Sequence, residues 1–134
     1  YIYIAVLIIS KNRNIKNTKN LELAKIIYLT KCKNLTDVSN LKFSHELYLS
    51  YCNKIKDISN LTSVEILYLS GCNKVKYVGN LRKLQYLTIS RNVFGIHLLK
   101  NLKQVTMSRN SYKKMESEIK KLKKINPRVN IVFV

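Results

Sequence analysis

The 134-residue chain is predicted to fold as an α/β repeat solenoid forming a single domain over 1–134. Three observations predict it. Leu47-Tyr-Leu-Ser-Tyr-Cys-Asn-Lys-Ile55 recurs as Leu67-Tyr-Leu-Ser-Gly-Cys-Asn-Lys-Val75, and earlier as Ile27-Tyr-Leu-Thr-Lys-Cys-Lys-Asn-Leu35, always at a step of 20 residues. Within each copy the apolar residues run first at period 2 and then at period 3. After residue 110 the pattern changes to helical spacing and then to simple alternation.

The first repeat, about 1–20, carries Tyr1, Ile4, Leu7, Ile9, Asn12 and Ile15. Its apolar opening is therefore read as a strand-bearing coil rather than a signal peptide. It is also far shorter than the roughly 20 residues needed to span a bilayer. The second repeat, 21–40, places Leu21, Ala24, Ile27, Leu29, Cys32, Leu35 and Val38 in the same frame. In the third, 41–60, Leu41, Leu47, Leu49, Cys52, Ile55 and Ile58 fit, and only Ser44 departs. The fourth, 61–80, has Leu61, Val64, Leu67, Leu69, Cys72, Val75 and Val78. Leu81, Leu84, Leu87, Ile89 and Asn92 open the fifth, 81–98, and an 18-residue step leads to Leu99, Leu102, Val105, Met107 and Asn110 in the sixth, 99–110.

A pair such as Leu47 and Leu49 shares one face of a short strand. Apolar residues at every third position, such as Ile55, Ile58, Leu61 and Val64, suit tight 3₁₀-like or extended turns on the far side. One coil cannot bury its own apolar edge, whereas stacked coils bury each other's. In the tail, Asn110-Ser111 is expected to cap a helix whose Tyr112, Met115, Ile119 and Leu122 share one face, with Asn126-Pro127 as its stop. Val129, Ile131 and Phe133 then alternate as a last edge strand, so that 111–134 would cap the final coil. No comparable cap precedes Tyr1. The N-terminal edge is therefore expected to be covered by further repeats or by another chain.

This frame, L-x-x-L-x-L-x-x-N/C-x-L six times over, resembles the leucine-rich-repeat family along nearly the whole chain. The short period resembles SDS22-like and internalin-like repeats, and the Cys-bearing repeats of protist and large-virus proteins. The resemblance implies a right-handed superhelix with a parallel sheet on its concave side, the surface that commonly holds the ligand in this family.

With 25 Lys+Arg against 7 Asp+Glu, the formal charge of +18 attracts polyanions irrespective of sequence. However, Lys, Asn, Ile and Tyr number 20, 15, 15 and 9, and all four have AT-rich codons. Codon bias would load solvent positions with Lys whatever the protein did. The 3 Gly, 1 Pro and 3 Cys exclude collagen-like, linker-like and disulfide-scaffold classes. Cys32, Cys52 and Cys72 share one slot of the repeat and read as buried structural thiols, which favours a reducing, intracellular setting over secretion. A straight column of thiols cannot surround a metal ion, and no cofactor is expected. His45 and His97 have no evident carboxylate or nucleophile partner, and no phosphate loop or paired carboxylates appear, so no enzyme is predicted.

Strands roughly 4.8 Å apart would align three columns on the concave sheet. These are Ile8, Tyr28, Tyr48, Tyr68, Thr88 and Thr106; Val6, Ile26, Glu46, Ile66, Tyr86 and Gln104; and Ser10, Thr30, Ser50, Ser70, Ser90 and Ser108. Glu46 is the one charged member. Tyr28, Glu46, Tyr48, Tyr68 and Tyr86, with Tyr51 and Arg91 at the rim, are the expected contacts of a protein partner, since Tyr offers a large contact area with a polar tip. The plainer alternative is a tyrosine ladder that only stacks on itself. A second reading is a basic component of a nucleic-acid-rich or acidic assembly, such as a ribosome or virion. Lys54, Lys56, Lys74 and Lys76 in the turns, and Lys120, Lys121, Lys123 and Lys124 on the helix, would then be the anchors.

Overall fold

Six of the seven strands recur at the steps expected from the repeat. The computed structural model describes residues 6–134, so Tyr1 and Ile4 of the first repeat lie outside the described residues. The strands are β1 (Val6–Ser10), β2 (Ile26–Thr30), β3 (Glu46–Tyr48), β4 (Ile66–Tyr68), β5 (Tyr86–Thr88), β6 (Gln104–Met107) and β7 (Asn130–Phe133). They form one parallel sheet in sequence order, and the coils between them stack as a solenoid. The register is strict: Leu7 pairs Ile27, Ile27 pairs Leu47, Leu47 pairs Leu67, Leu67 pairs Leu87 and Leu87 pairs Val105. Residues one step apart thus sit side by side on the same face, which is why a 20-residue pattern in the chain becomes a continuous spine.

The core is that spine. Ile27, Leu47, Leu67, Leu87 and Val105 are buried on the inner face of the sheet, and Leu29, Leu49, Leu69, Ile89 and Met107 lie one layer along it. Leu35, Ile55 and Val75, with Val38, Ile58 and Val78, close the opposite side. The odd residue, Ser44, is also buried, and its hydroxyl donates to the Ala24 carbonyl at 2.8 Å, which offsets the desolvation of its oxygen.

Each of the first four strands runs out into a left-handed residue: Lys11 (φ 55°), Lys31 (φ 57°), Tyr51 (φ 60°) and Gly71 (φ 78°). The backbone N–H groups of Lys11, Lys31 and Tyr51 reach the next coil, at Thr30 O (2.8 Å), Ser50 O (2.8 Å) and Ser70 O (2.7 Å). Turning the chain there lets Cys32, Cys52 and Cys72 point inward. All three thiols are free and buried, and they donate back to the preceding coil at Ile9 O (3.9 Å), Leu29 O (3.1 Å) and Leu49 O. In the first coil Asn12 fills the slot differently, accepting from the N–H groups of Asn14 (2.8 Å) and Ile15 (3.3 Å).

Burial pushes the Cys52 thiol up to about 12 and the Cys72 thiol to about 11, from an ordinary value of 9.0. Between these limits the native chain holds more protons than the unfolded chain, so stability falls as pH rises. We therefore expect full stability below about pH 9 and progressive loss towards pH 12. Thermal midpoints measured across that range should decline less steeply in Cys52→Ala than in the wild type. An equal decline would show that the thiol column does not carry the effect.

The outer turns use Asx chemistry. The Ser39 and Ser59 N–H groups donate to Asp37 and Asp57, each at 2.8 Å. Hydrogen bonds from the side chain and then the backbone of these serines hold both carboxyls below their ordinary value. The 18-residue step is absorbed on this side. Phe94 pairs with Tyr77 as a lone parallel bridge, with Val78 N–H to Phe94 O at 3.0 Å and Phe94 N–H to Lys76 O at 2.7 Å.

The tail differs from expectation in three ways. The helix starts earlier than Asn110-Ser111: Ser108 is the N-cap, accepting from Ser111 N–H at 3.1 Å, and α1 runs Arg109–Lys114. A hydroxyl in extended backbone is a better cap than a residue already needed inside the first turn. The helix is also interrupted at Met115, so that α2 spans Glu116–Ile125 as a second element. Asn110 does not occupy the Asn/Cys slot; it is exposed on α1, and the buried Ser111 instead bonds inward to Ser90 O at 3.3 Å. The stop at Asn126-Pro127 stands, since α2 ends at Ile125 and the Asn126 side chain donates to Leu102 O. Ile119 and Leu122 are buried beneath α2. Glu118 of α2 lies 2.9 Å from His97 Nδ1 and accepts from Gly95 N–H at 3.2 Å, so His97 does have a carboxylate partner. Their separation of 21 residues hid it. None of the helices among the described residues is long and apolar enough to cross a membrane.

Candidate functional site

The outward face of the sheet gathers the predicted tyrosines. The register aligns Tyr28, Tyr48 and Tyr68, followed by Thr88 and Thr106. Tyr28 and Tyr48 stack with ring centroids 4.1 Å apart and planes 4° from parallel; Tyr48 and Tyr68 lie 4.8 Å apart at 32°. The separations match the strand spacing, so the ladder follows directly from three tyrosines in one slot. These rings do stack on each other, as both the partner-binding and the plainer reading require. Yet the stack leaves a good deal uncovered: Tyr68 is 38% exposed and Tyr86, in the adjacent column, 39%.

The adjacent column adds Val6, Ile26 and Ile66, and Ile8 continues the tyrosine column towards β1. Ile8 is 71% exposed and Val6 49%. Together these residues make a contiguous apolar and aromatic face of the kind that marks interaction sites. Glu46 sits within it between Ile26 and Ile66, accepting from the Tyr48 hydroxyl at 3.1 Å. Burial and then the hydrogen bonds with Tyr28 and Glu46 raise the Tyr48 hydroxyl well above its ordinary value, so it stays protonated as a donor.

Tyr51 and Arg91 lie at the rim, both exposed, in the slot that follows the strands. Tyr51 lies across Gly71, where any Cβ would meet its ring at 2.5 Å. Lys31 Nζ stands 6.0 Å from the Tyr51 ring centroid. Lys11 and Lys31 occupy this slot too and escaped the sequence reading. The 20-residue step from Tyr51 and Arg91 would have found them. The cations anticipated in the turns divide. Lys54 and Lys74 meet Lys33 and Asn53 around one shallow groove, and Lys54 Nζ donates to Asn34 Oδ1 at 3.1 Å. Lys56 and Lys76 are exposed farther along the turns. Lys120, Lys123 and Lys124 border a groove with Tyr112, Glu116 and Ile119, and Lys121 is exposed outside it. None of these lysines belongs to the strands that carry the tyrosine ladder.

Among the described residues, no group of three or more His, Cys, Asp or Glu side chains is placed to hold a metal ion. No protein-family model matches the chain, and no curated protein matches it either.

Proposed function

We propose that the chain is a leucine-rich-repeat module, closed at its C-terminal end by α1, α2 and β7, that binds a protein partner on the concave face of its sheet without catalysing a reaction. The contiguous face of Val6, Ile8, Tyr28, Tyr48, Ile66, Tyr68 and Tyr86 carries this reading. A ladder already stacked loses little side-chain freedom when a partner covers it, and rigid aromatic surfaces supply most interface hot spots. Glu46, held by Tyr48, would supply one directed acceptor, and Lys31, Tyr51 and Arg91 a polar rim.

The test is affinity capture on the immobilised chain at low and high salt, with nuclease treatment. We expect a protein that is retained at high salt by the wild type and lost from the Tyr48→Ala, Tyr68→Ala double variant. Equal retention by the two would reject the reading. The lysine groove of Lys33, Lys54 and Lys74 favours a second reading, in which the chain anchors to an anionic assembly. With double-stranded DNA as probe, each lysine on phosphate adds about 0.9 to the slope of log affinity against log salt. Neutralising Lys120, Lys121, Lys123 and Lys124 should flatten that slope; an unaltered slope removes α2 from consideration.

A further inference from the structure

The tyrosine column stops abruptly. Register carries it from Tyr28 through Tyr48 to Tyr68, and the next step is Thr88. A ring at 88 would have covered the side of Tyr68 that faces away from Tyr48, and threonine is too short to do so. What remains is a pocket of about 210 Å³ lined by Tyr68, Tyr86, Ile66, Thr88, Gln104 and Thr106, with Tyr48 and Leu87 behind them. Its walls are not equivalent. Tyr68, Tyr86 and Ile66 are apolar surfaces, whereas Thr88, Thr106 and Gln104 carry polar groups, with Gln104 Nε2 donating to Thr106 Oγ1 at 3.2 Å.

Size selects the occupant. A cavity of roughly 150 Å³ accepts benzene, so this pocket has room for a phenol or indole ring. It is smaller than the roughly 300 Å³ at which pockets for whole small-molecule ligands begin. One buried ring sustains only about millimolar association by itself, so the ring must arrive on a larger chain that contacts the surrounding face. We infer that the Tyr68–Thr88 step is an anchor pocket for a single aromatic side chain of a protein partner, which continues the stack begun by Tyr28 and Tyr48. The inference rests on the reading of this face as a protein-binding surface and adds the chemistry of the residue it selects.

The probe is p-cresol, with cyclohexanol as a nonplanar control of similar size, read by the methyl resonances of Thr88 and Thr106. Stacking on Tyr68 should move both methyls upfield with p-cresol, and much less with cyclohexanol. Thr88→Tyr fills the step from within and should abolish the response at the remaining reporter, the Thr106 methyl. Tyr68→Leu keeps an apolar wall but removes the ring, and should erase the preference for p-cresol while leaving the fold intact. Equal responses to the two probes, or a persisting response in Thr88→Tyr, would overturn the pocket. Partner capture separates the levels. Loss in Tyr48→Ala, Tyr68→Ala but full retention in Thr88→Tyr rejects the anchor and keeps the binding face; retention in both rejects the face itself.

Discussion

Truncating Leu67 to Ala is expected to lower the unfolding free energy by about 2–5 kcal/mol, with the upper part of that range favoured. Leu67 is fully buried and in register with Leu47 on one side and Leu87 on the other. The cost of such a truncation depends on how far the surroundings collapse into the cavity. Here the three strands are held apart by parallel hydrogen-bonded ladders, so the neighbouring leucines cannot move in. A solenoid adds a second consequence. Each coil contacts only its neighbours, so weakening both interfaces of the fourth coil can uncouple the two halves of the stack. Urea unfolding should then show a lowered midpoint together with a reduced m-value, the sign of lost cooperativity. Tyr68→Ala, next in sequence on the outward face, should cost no more than about 1 kcal/mol, mostly the lost stacking. If Tyr68 proved the costlier site, the assignment of inner and outer faces would be reversed.

That contrast between neighbours shows why so much of the fold was legible. A strand at period 2 separates Leu67 from Tyr68 by face, and the 20-residue step repeats the separation in every coil. Register, core and columns then follow together, because a slip of one residue would expose every leucine at once. Features without periodic support were harder to place. The helix start was misplaced because Ser108, Asn110 and Ser111 are all plausible caps, and only the backbone angles select Ser108. The break at Met115 leaves the apolar spacing of Tyr112, Met115, Ile119 and Leu122 unchanged, so the pattern could not reveal it. At the candidate site the tyrosine column was readable, and so was the alternative that it stacks on itself. The pocket was not. It arises from the missing ring at Thr88 combined with side chains from β4, β5 and β6, and a column read one slot at a time does not display a gap between columns.

Gly95→Ala should be the second large effect, about 2–4 kcal/mol, whereas Gly71→Ala should cost only about 1–2 kcal/mol, although both glycines have positive φ. The difference lies in what surrounds the added carbon. Gly71 occupies the strand-ending slot that Lys11, Lys31 and Tyr51 fill with side chains at φ 55–60°. The nearest obstacle there is the exposed ring of Tyr51, which can swing aside, and the closest backbone atom, Tyr51 Cα, stands 3.0 Å away. Gly95 (φ 87°) has no such precedent among the described residues. Its added Cβ would stand 2.9 Å from both Cα and N of Gly79, backbone that belongs to the preceding coil. That close approach is how the shortened coil absorbs its two-residue deficit, through the Tyr77–Phe94 bridge. The left-handed strain therefore adds to a backbone clash, which relaxes only by separating the two coils. Separation would also draw Gly95 N–H and His97 away from Glu118, so α2 should loosen together with the turn at Ile96–Leu98. Hydrogen exchange should show this directly, with amides of 116–125 losing protection in Gly95→Ala and keeping it in Gly71→Ala. Equal midpoints for the two variants would mean that the short coil tolerates a side chain, and that the glycine pair is not what lets coils of unequal length stack.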